Sequence, residues 1–583
     1  MVKVVDPAYR ATVYNWCDCG ALESIRDPEG RYTTWTRDNQ NRVTGKIYAD
    51  GTSESYVYET TTSRLKYKLD ARNQRTNYTY NADDTLSAIS YTASDGTTAL
   101  SPATAGVSYT YDTEYPRVLT MTDGIGTTTY AYNAISSGTL GSGRLANVTA
   151  PLANSGTYVL AYTYDALGRV LTKTIDGTAN AMTVTYDTLG RIATETNNLG
   201  AFTYAYLNQT NRLSSVTYPN GQVTNYTYYP NSATTPGNDD QRLAQIANLI
   251  TSGGTNISTF NYTYNAVGNI MTWGKTLDTS STLTSSYSYD AADQLTRALV
   301  PTSSTATTGY SYGYDKAGNR TREQIDSNVD SGTFNDVNEL TAVNPGGAME
   351  FTGTLSEFAT VTLNGTAATL DGSNNWAGTA TVATGSNTIA LVATDASGNS
   401  TSKTISVTVT GNTARTLTYD ANGNLIDNGD GQGYTWDAAN RLTKIIYSDG
   451  SYSTFVYNGL SQRIEIKETD STGTTTSDKH FVWAGGAQPA EERSASNSVT
   501  KRFYAQGEQI SGTSYYYMKD HLGSIREMTT SSATIVGRNS YDPYGRTTDD
   551  IITTESTFGY TGMYRHTTSG LNLTLYRAYD TNL

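Results

Sequence analysis

The chain has little charge: Asp, Glu, Lys and Arg make up 16% of its 583 residues, so solubility rests on Thr, Ser, Asn and Tyr. It holds two cysteines, three histidines, nine phenylalanines and twelve prolines. So few prolines exclude a Pro-rich disordered chain. No stretch approaches the ~18 apolar residues of a membrane span. The net charge is −14 and no Lys/Arg cluster occurs, which excludes a nucleic-acid partner, because binding phosphates needs clustered cations. Cys17 and Cys19 lie far in sequence from His480, His521 and His566, so no metal site and no cofactor is expected. Two cysteines two apart on one strand point the same way, but a bridge between them would be strained, and free thiols are expected. The start, Met1-Val2-Lys3-Val4-Val5-Asp6-Pro7, has no apolar signal-peptide core and runs directly into strand-like sequence, as a piece of a longer protein would.

What is abundant is tyrosine, 47 copies against nine Phe, together with 52 Gly and many Thr. That composition reads as all-β. One unit recurs: aromatic, any residue, Tyr, Asp or Asn, two residues, Gly or Asn, then often Arg and an aliphatic. A clear copy is Tyr162-Thr163-Tyr164-Asp165-Ala166-Leu167-Gly168-Arg169-Val170, followed by Tyr186-Asp187 with Gly190-Arg191. Further copies centre on Tyr264 with Gly268, Tyr289-Asp290, Tyr314-Asp315 with Gly318, Tyr419-Asp420 with Gly423, Trp436-Asp437 and Tyr457-Asn458. Alternation places Tyr162 and Tyr164 on one strand face. Asp165 then begins a type I turn, its carboxylate accepting N–H groups further on, and Gly168 or Asn440 supplies φ > 0. The repeat is a β-hairpin written many times. At ~22 residues each, the hairpins give roughly 46 strands, too many for an open sheet, so the strip must coil. Its tyrosine side is the expected inner face.

Between Tyr314 and Tyr419 the tyrosines stop for 104 residues. Within that gap, residues 345–411 carry short alternating strands such as Ala359–Leu363 and Trp376–Val382, separated by turn signals such as Asn364-Gly365. A small inserted β-sandwich is expected there. Through Ala393-Thr394-Asp395-Ala396-Ser397-Gly398-Asn399 it resembles bacterial immunoglobulin-like modules, which implies a spacer or adhesive decoration.

The final stretch differs in kind. Asp520-His521-Leu522-Gly523-Ser524 is followed by Tyr541-Asp542-Pro543-Tyr544-Gly545-Arg546, then Gly559-Tyr560-Thr561-Gly562, then Gly570-Leu571 and Tyr576-Arg577-Ala578-Tyr579-Asp580. In this order the motifs resemble the core signature of RHS/YD-repeat proteins, and the upstream hairpins resemble that family's YD repeats. The resemblance covers nearly the whole chain outside the insertion. It implies a β-strip spiralling into a hollow YD shell, closed by the core-signature region and commonly enclosing a C-terminal toxin. Self-cleaving members carry a Gly-Arg-Phe/Trp…Asp-Pro segment after the last Tyr-Asp; here Thr581-Asn582-Leu583 follows instead, so neither self-cleavage nor toxicity is assigned. The array is also shorter than a full shell of that family.

The expected organisation is therefore 1–344 as hairpin array, 345–411 as the Ig-like sandwich, 412–510 as array continued, and 511–583 as the closing core-signature segment. No Gly-x-Ser-x-Gly elbow, Walker motif, His-Glu-x-x-His or dinucleotide fingerprint is present. Asp427-Asn428-Gly429-Asp430-Gly431 reads as a turn rather than a calcium loop, since Gly stands third and the bidentate Glu is missing. No residue is assigned to catalysis, cofactor or metal. The expected function is a non-enzymatic shell of a secreted or surface bacterial polymorphic toxin, whose partners are a C-terminal effector and upstream secretion or adhesion domains. The alternatives are a surface adhesion or carbohydrate-binding protein and, less favoured by the motifs, a polysaccharide-active enzyme.

Overall fold

The computed structural model describes residues 1–231, 237–410 and 412–583. The predicted far boundary of the insertion, 411, lies outside the described residues. Secondary structure is strand and turn, broken only by two three-residue 3-10 turns among the described residues.

The hairpin follows from its own side chains. Asp165 Oδ1 accepts the N–H of Leu167 (2.9 Å) and of Arg169 (2.8 Å), while Oδ2 accepts Arg169 Nε (2.7 Å). Gly168 closes the turn at φ +75°, a conformation that glycine adopts without cost. The strands Thr157–Tyr164 and Val170–Ile175 then pair out of step: Thr163 faces Thr172 but Tyr164 faces Val170, so Leu171 is the extra residue of a bulge. The same shift accompanies Tyr58, Tyr80, Tyr186, Tyr264, Tyr314 and Tyr457.

That bulge explains why the chain uses tyrosine rather than phenylalanine. The ladder from strand Leu145–Pro151 to the next strand begins only at Asn147, so the Leu145 carbonyl finds no backbone N–H there. The Tyr164 hydroxyl donates to it at 2.7 Å. One hairpin on, Tyr186 donates to Val170 O (2.8 Å), and Tyr206 to Ile192 O (2.8 Å). Arg169 lies over the Tyr186 ring, 4.1 Å from its centroid, and Arg191 over Tyr206 at 4.4 Å. In these hairpins Asp holds Arg, and Arg and the bulge carbonyl hold the next Tyr; elsewhere Asn319 or Asn424 takes the Arg place beside Asp315 or Asp420. The motif both builds a hairpin and fastens it to its neighbour.

Hairpin follows hairpin in sequence order. Strands from Val2–Val5 to Leu340–Pro345 pair antiparallel in succession, and Arg415–Thr416 joins the end, giving a 30-stranded sheet. A second sheet of 14 strands runs from Thr418–Tyr419 to Thr547–Ile552. The strip coils, and turns far apart in sequence meet. Arg10 Nη1 donates to Gln294 Oε1 (2.6 Å), Glu29 accepts the Lys316 N–H (2.8 Å), and Arg72 reaches Asp437 O (2.7 Å) and the Asp420 carboxylate (3.2 Å). Tyrosine looks inward: along Thr157–Tyr164 the side chains of Tyr158, Leu160 and Tyr164 are buried while Thr157, Val159 and Thr163 are exposed. Tyr158 and Leu160 pack against Val482 and Ala484 of the second sheet.

In the Tyr-free gap the chain leaves the strip after Pro345 and rejoins it beside the strand it left, Ala342 facing Thr416. The excursion forms a three-stranded and a four-stranded sheet closed over Met349, Val361, Leu363, Trp376 and Ile389. The two sheets pack on each other and on Val329 of the strip strand Asn328–Phe334.

One expectation is overturned. Cys17 and Cys19 are not free thiols but a disulfide, with Cα atoms 5.1 Å apart. They do not lie on one strand: Ala11–Trp16 ends before them, and the turn from Cys17 to Gly20 folds them together. Cys17 stands where other repeats have Asp, and its Sγ accepts the Ala21 N–H (3.3 Å). The Asp427–Gly431 run is a turn, with Asp427 Oδ1 accepting the Gly429 N–H at 2.7 Å.

Candidate functional site: the closing segment

The Asp520–Ser524 turn copies the repeat with one displacement. Asp520 Oδ1 accepts the N–H of Leu522 (2.9 Å) and of Ser524 (3.0 Å). Ser524 occupies the Arg position, and the guanidinium comes instead from Arg526, whose Nε donates to Asp520 Oδ2 at 2.7 Å in a fully buried ion pair. Arg526 lies between the rings of Trp273 (4.6 Å) and Tyr541 (4.8 Å), so the turn is clamped to the first sheet. His521 leans edge-on against Tyr262 (4.7 Å) and Trp273 (5.8 Å). Burial lowers its pKa, and the Asp520 charge only partly offsets this. Its buried Nδ1 has no hydrogen-bond partner among the described residues. Leu522 is exposed, and Gly523 closes the turn at φ +78°.

Ser524 then anchors the last loop: its Oγ accepts the Thr561 N–H (3.0 Å), and Ile525 N–H donates to Gly559 O (3.1 Å). Gly562 O accepts from Gln488. Tyr541 repeats the carbonyl latch, donating to Ile525 O at 3.0 Å. Asp542 Oδ1 accepts the N–H of Tyr544 and Arg546 (both 2.9 Å). Pro543 O accepts the Tyr560 hydroxyl at 3.2 Å. A Cβ on Gly545 would fall 2.4 Å from the Tyr560 ring, so only glycine fits.

Tyr544 is the far contact. Its hydroxyl lies 2.7 Å from that of Tyr314, its ring packs 4.9 Å from Tyr312, and Arg320 covers it at 4.3 Å. Tyr579 donates to Tyr544 O (2.7 Å). Arg546 pairs with Glu323 and with Asp542 (3.1 Å); burial lowers its basicity, but these carboxylates outweigh that and hold its pKa above the usual value. A cavity of about 1010 Å³ opens here, lined by Tyr314, Arg320, Glu323, Tyr419, Tyr544 and Arg546. Leu571 enters the second-sheet core, Gly570 turns at φ +74°, and Asp580 Oδ1 accepts the Asn582 N–H (2.8 Å). Tyr576 and Arg577 stand out in solvent and join none of these contacts.

The geometry thus gathers Asp520, Ser524, Tyr541, Asp542, Tyr544, Gly559, Thr561 and Tyr579, and leaves Leu522, Tyr576 and Arg577 outside. Motif reading missed Trp273, Tyr312, Arg320, Glu323 and Arg526. Only Arg526 had a local signal, because it lies two residues past the usual Arg position and so on the same strand face.

A family profile described as RHS Repeat matches residues 20–53, 186–223 and 419–452. The crystal structure of TcdB2-TccC3 aligns with 98% of this chain and 29% of that one, at TM-score 0.66 and 15% identity. The Photorhabdus luminescens Tc holotoxin pore aligns with 98% of this chain and 28% of that one, again at TM-score 0.66 and 15% identity. The tRNA3(Ser)-specific nuclease WapA of Bacillus spizizenii is 26% identical over 176 residues, 28% of this chain and 7% of that protein. The chain therefore spans less than a third of the structures it matches and a small part of the nuclease.

Proposed function

We propose that this chain, which carries RHS repeats and shares its fold with the toxin-complex shell, is the non-enzymatic wall of a secreted or surface bacterial toxin, and that it scaffolds or encloses a C-terminal effector. The observation that carries this reading is the closing segment itself. Its motif turns are spent on fastening the second sheet to the first, through Arg526 and Tyr544, rather than on presenting a nucleophile. The nuclease activity in the name of WapA belongs to that protein, of which only 7% aligns here. On this reading 1–344 and 412–510 form the wall, 511–583 closes it, and 345–411 is an immunoglobulin-like decoration. A protease-labile reporter fused after Leu583 tests it. Enclosure predicts that the reporter survives until the wall is unfolded with urea; digestion at the rate of the free reporter overturns it. Glycan binding that disappears when 345–411 is removed would move the reading to adhesion.

A further inference from the structure

Away from the closing segment, three ligand-type side chains meet on the face of the second sheet that looks toward the first. Glu465 opposes His480 across the strands Arg463–Thr469 and Thr475–Val482, and Lys467 opposes Asp478 in the same register. Glu465 and His480 are buried, with side chains 9% and 1% exposed. His480 Nε2 lies 3.1 Å from Asp478 Oδ1 and 3.9 Å from Glu465 Oε2. One ligand atom from each residue falls within 4.8 Å of the other two. Lys467 holds the outward oxygens, Glu465 Oε1 at 3.0 Å and Asp478 Oδ2 at 3.3 Å, which leaves the inward pair facing the imidazole.

The hydrogen bonds around His480 fix its tautomer. Asn497 Nδ2 donates to Ser155 O (3.0 Å), so its Oδ1 is the atom 2.9 Å from His480 Nδ1, and Nδ1 carries the proton. In the neutral ring Nε2 is then an acceptor, with the Asn154 Nδ2 donor at 2.8 Å and, at 3.1 Å, Asp478 Oδ1, a buried oxygen with no hydrogen-bond donor among the described residues. Lone pair against carboxylate is repulsive, and a cation between them removes the repulsion. It is Nδ2 of Asn154 that lies 2.8 Å from Nε2; turned over, this amide would offer its oxygen to the same point.

We propose that Glu465, Asp478 and His480, completed by the Asn154 amide oxygen, bind one divalent first-row metal ion of the Zn²⁺ class at the joint between the two sheets. Bonds of ~2.0–2.1 Å in a tetrahedron set ligand atoms about 3.3 Å apart. The 3.1 Å separation already meets this, and the 3.9 Å one needs a small closure. Lys467 and Asn497 act behind the ligands, orienting carboxylates and ring as outer partners of metal sites do. Because Asn154 belongs to a first-sheet turn and the others to the second sheet, the ion would tie the two together.

Calorimetric titration of the metal-stripped 583-residue chain with ZnCl₂, and the visible spectrum of its Co²⁺ form, test the proposal. One ion should bind, raising the melting temperature in a concentration-dependent way. Binding should vanish in His480→Gln and in the isosteric Asp478→Asn, each checked for native circular dichroism. Asn497→Ala, which frees the ring, should weaken it by about 10–100-fold. Zn²⁺ binding that survives His480→Gln places the ion at His521 or His566 and overturns the assignment. So does no binding by the wild-type chain, or a proton seen by NMR on Nε2 in the presence of Zn²⁺, which would make the cluster a plain charge square.

Discussion

In the first hundred residues Ala21 is the one fully buried apolar side chain, whereas the second sheet and closing segment bury Tyr434, Ile445, Phe455, Trp483, Met528 and Phe558 in a single cluster. Both regions use the same turn chemistry: Asp38 holds Arg42 as Asp437 holds Arg441. The difference teaches that the motif makes a hairpin and links it to the next, but does not by itself make a core. The N-terminal coil is held by inter-repeat latches and by turn-to-turn contacts such as Arg72 with Asp420 and Asp437. The second sheet is held by burial, to which motif aromatics such as Tyr434 and Phe455 and residues outside the motif such as Ile445, Trp483 and Met528 both contribute.

The comparison breaks if a core truncation is as mild as one in the coil. Phe558→Ala should cost about 3–5 kcal/mol, because a fully buried ring leaves a cavity. Ile47→Ala, at a side chain 42% exposed, should stay within ~0.5 kcal/mol. Hydrogen exchange resolved by region, followed through urea, separates the two; equal losses would mean that the strip unfolds as one latch-held unit.

Acid should act on the two regions in opposite directions. Glu527 is wholly buried between the sheets, where Ser258 donates to its Oε2 at 2.8 Å. Burial pushes its pKa from 4.5 up to about 7, against the pull of Arg538. Folding therefore takes up a proton there. The resulting stabilisation is complete below pH 4.5 and is lost as pH rises through about 7, on the order of 3 kcal/mol. Glu527→Gln should remove this dependence and be the more stable protein at pH 8. In the coil, the Arg42 guanidinium holds the half-buried Asp38 below its usual 3.8, and the Thr98 hydroxyl holds Asp95 down at about 2. Those turns lose stability as pH falls through that range. Exchange rates at pH 3.5, 5 and 8 give the signs, and a common direction in both regions would refute the contrast.

Removing a coil contact sharpens the other half. Arg72 is mostly buried against Asp420, Asp437 O and Asn440. Arg72→Ala should cost about 1.5–3 kcal/mol, felt in the coil rather than in the second-sheet core. Protease cutting confined to residues before 130 would show this; faster cutting after 412 would show that the two halves share one stability.

The hairpins and their turns were legible because each is set by neighbours within about ten residues. The disulfide was misread because Cys17 and Cys19 were placed on a strand, when Cys17 takes the Asp position of a turn. What stayed hidden was pairing across the coil. Nothing near Asp520 names Trp273, and nothing near Tyr544 names Tyr312, since a turn of the spiral brings together residues some 230 to 365 apart. The charged partners Glu323 and Arg546 read locally as ordinary strand residues.

The smallest expected effect tests the latch itself. Phe334 stands at the bulge of its hairpin, facing Leu340, where other repeats carry the hydroxyl. By register its missing partner is Arg320 O, since Arg320 faces Tyr314 across the preceding bulge as Leu145 faces Tyr132. Phe334→Tyr should therefore add the absent hydrogen bond and stabilise by about 1 kcal/mol, while Tyr164→Phe, which orphans Leu145 O, should cost a similar amount or more. The asymmetry matters, because removing a donor strands a carbonyl that the ladder cannot reach, whereas adding one brings a donor to a carbonyl that the next ladder, beginning at Arg322, passes by. If Phe334→Tyr gains nothing while Tyr164→Phe is costly, the tyrosine acts through its packed ring at the bulge, and the latch between neighbouring hairpins reduces to the Arg over it.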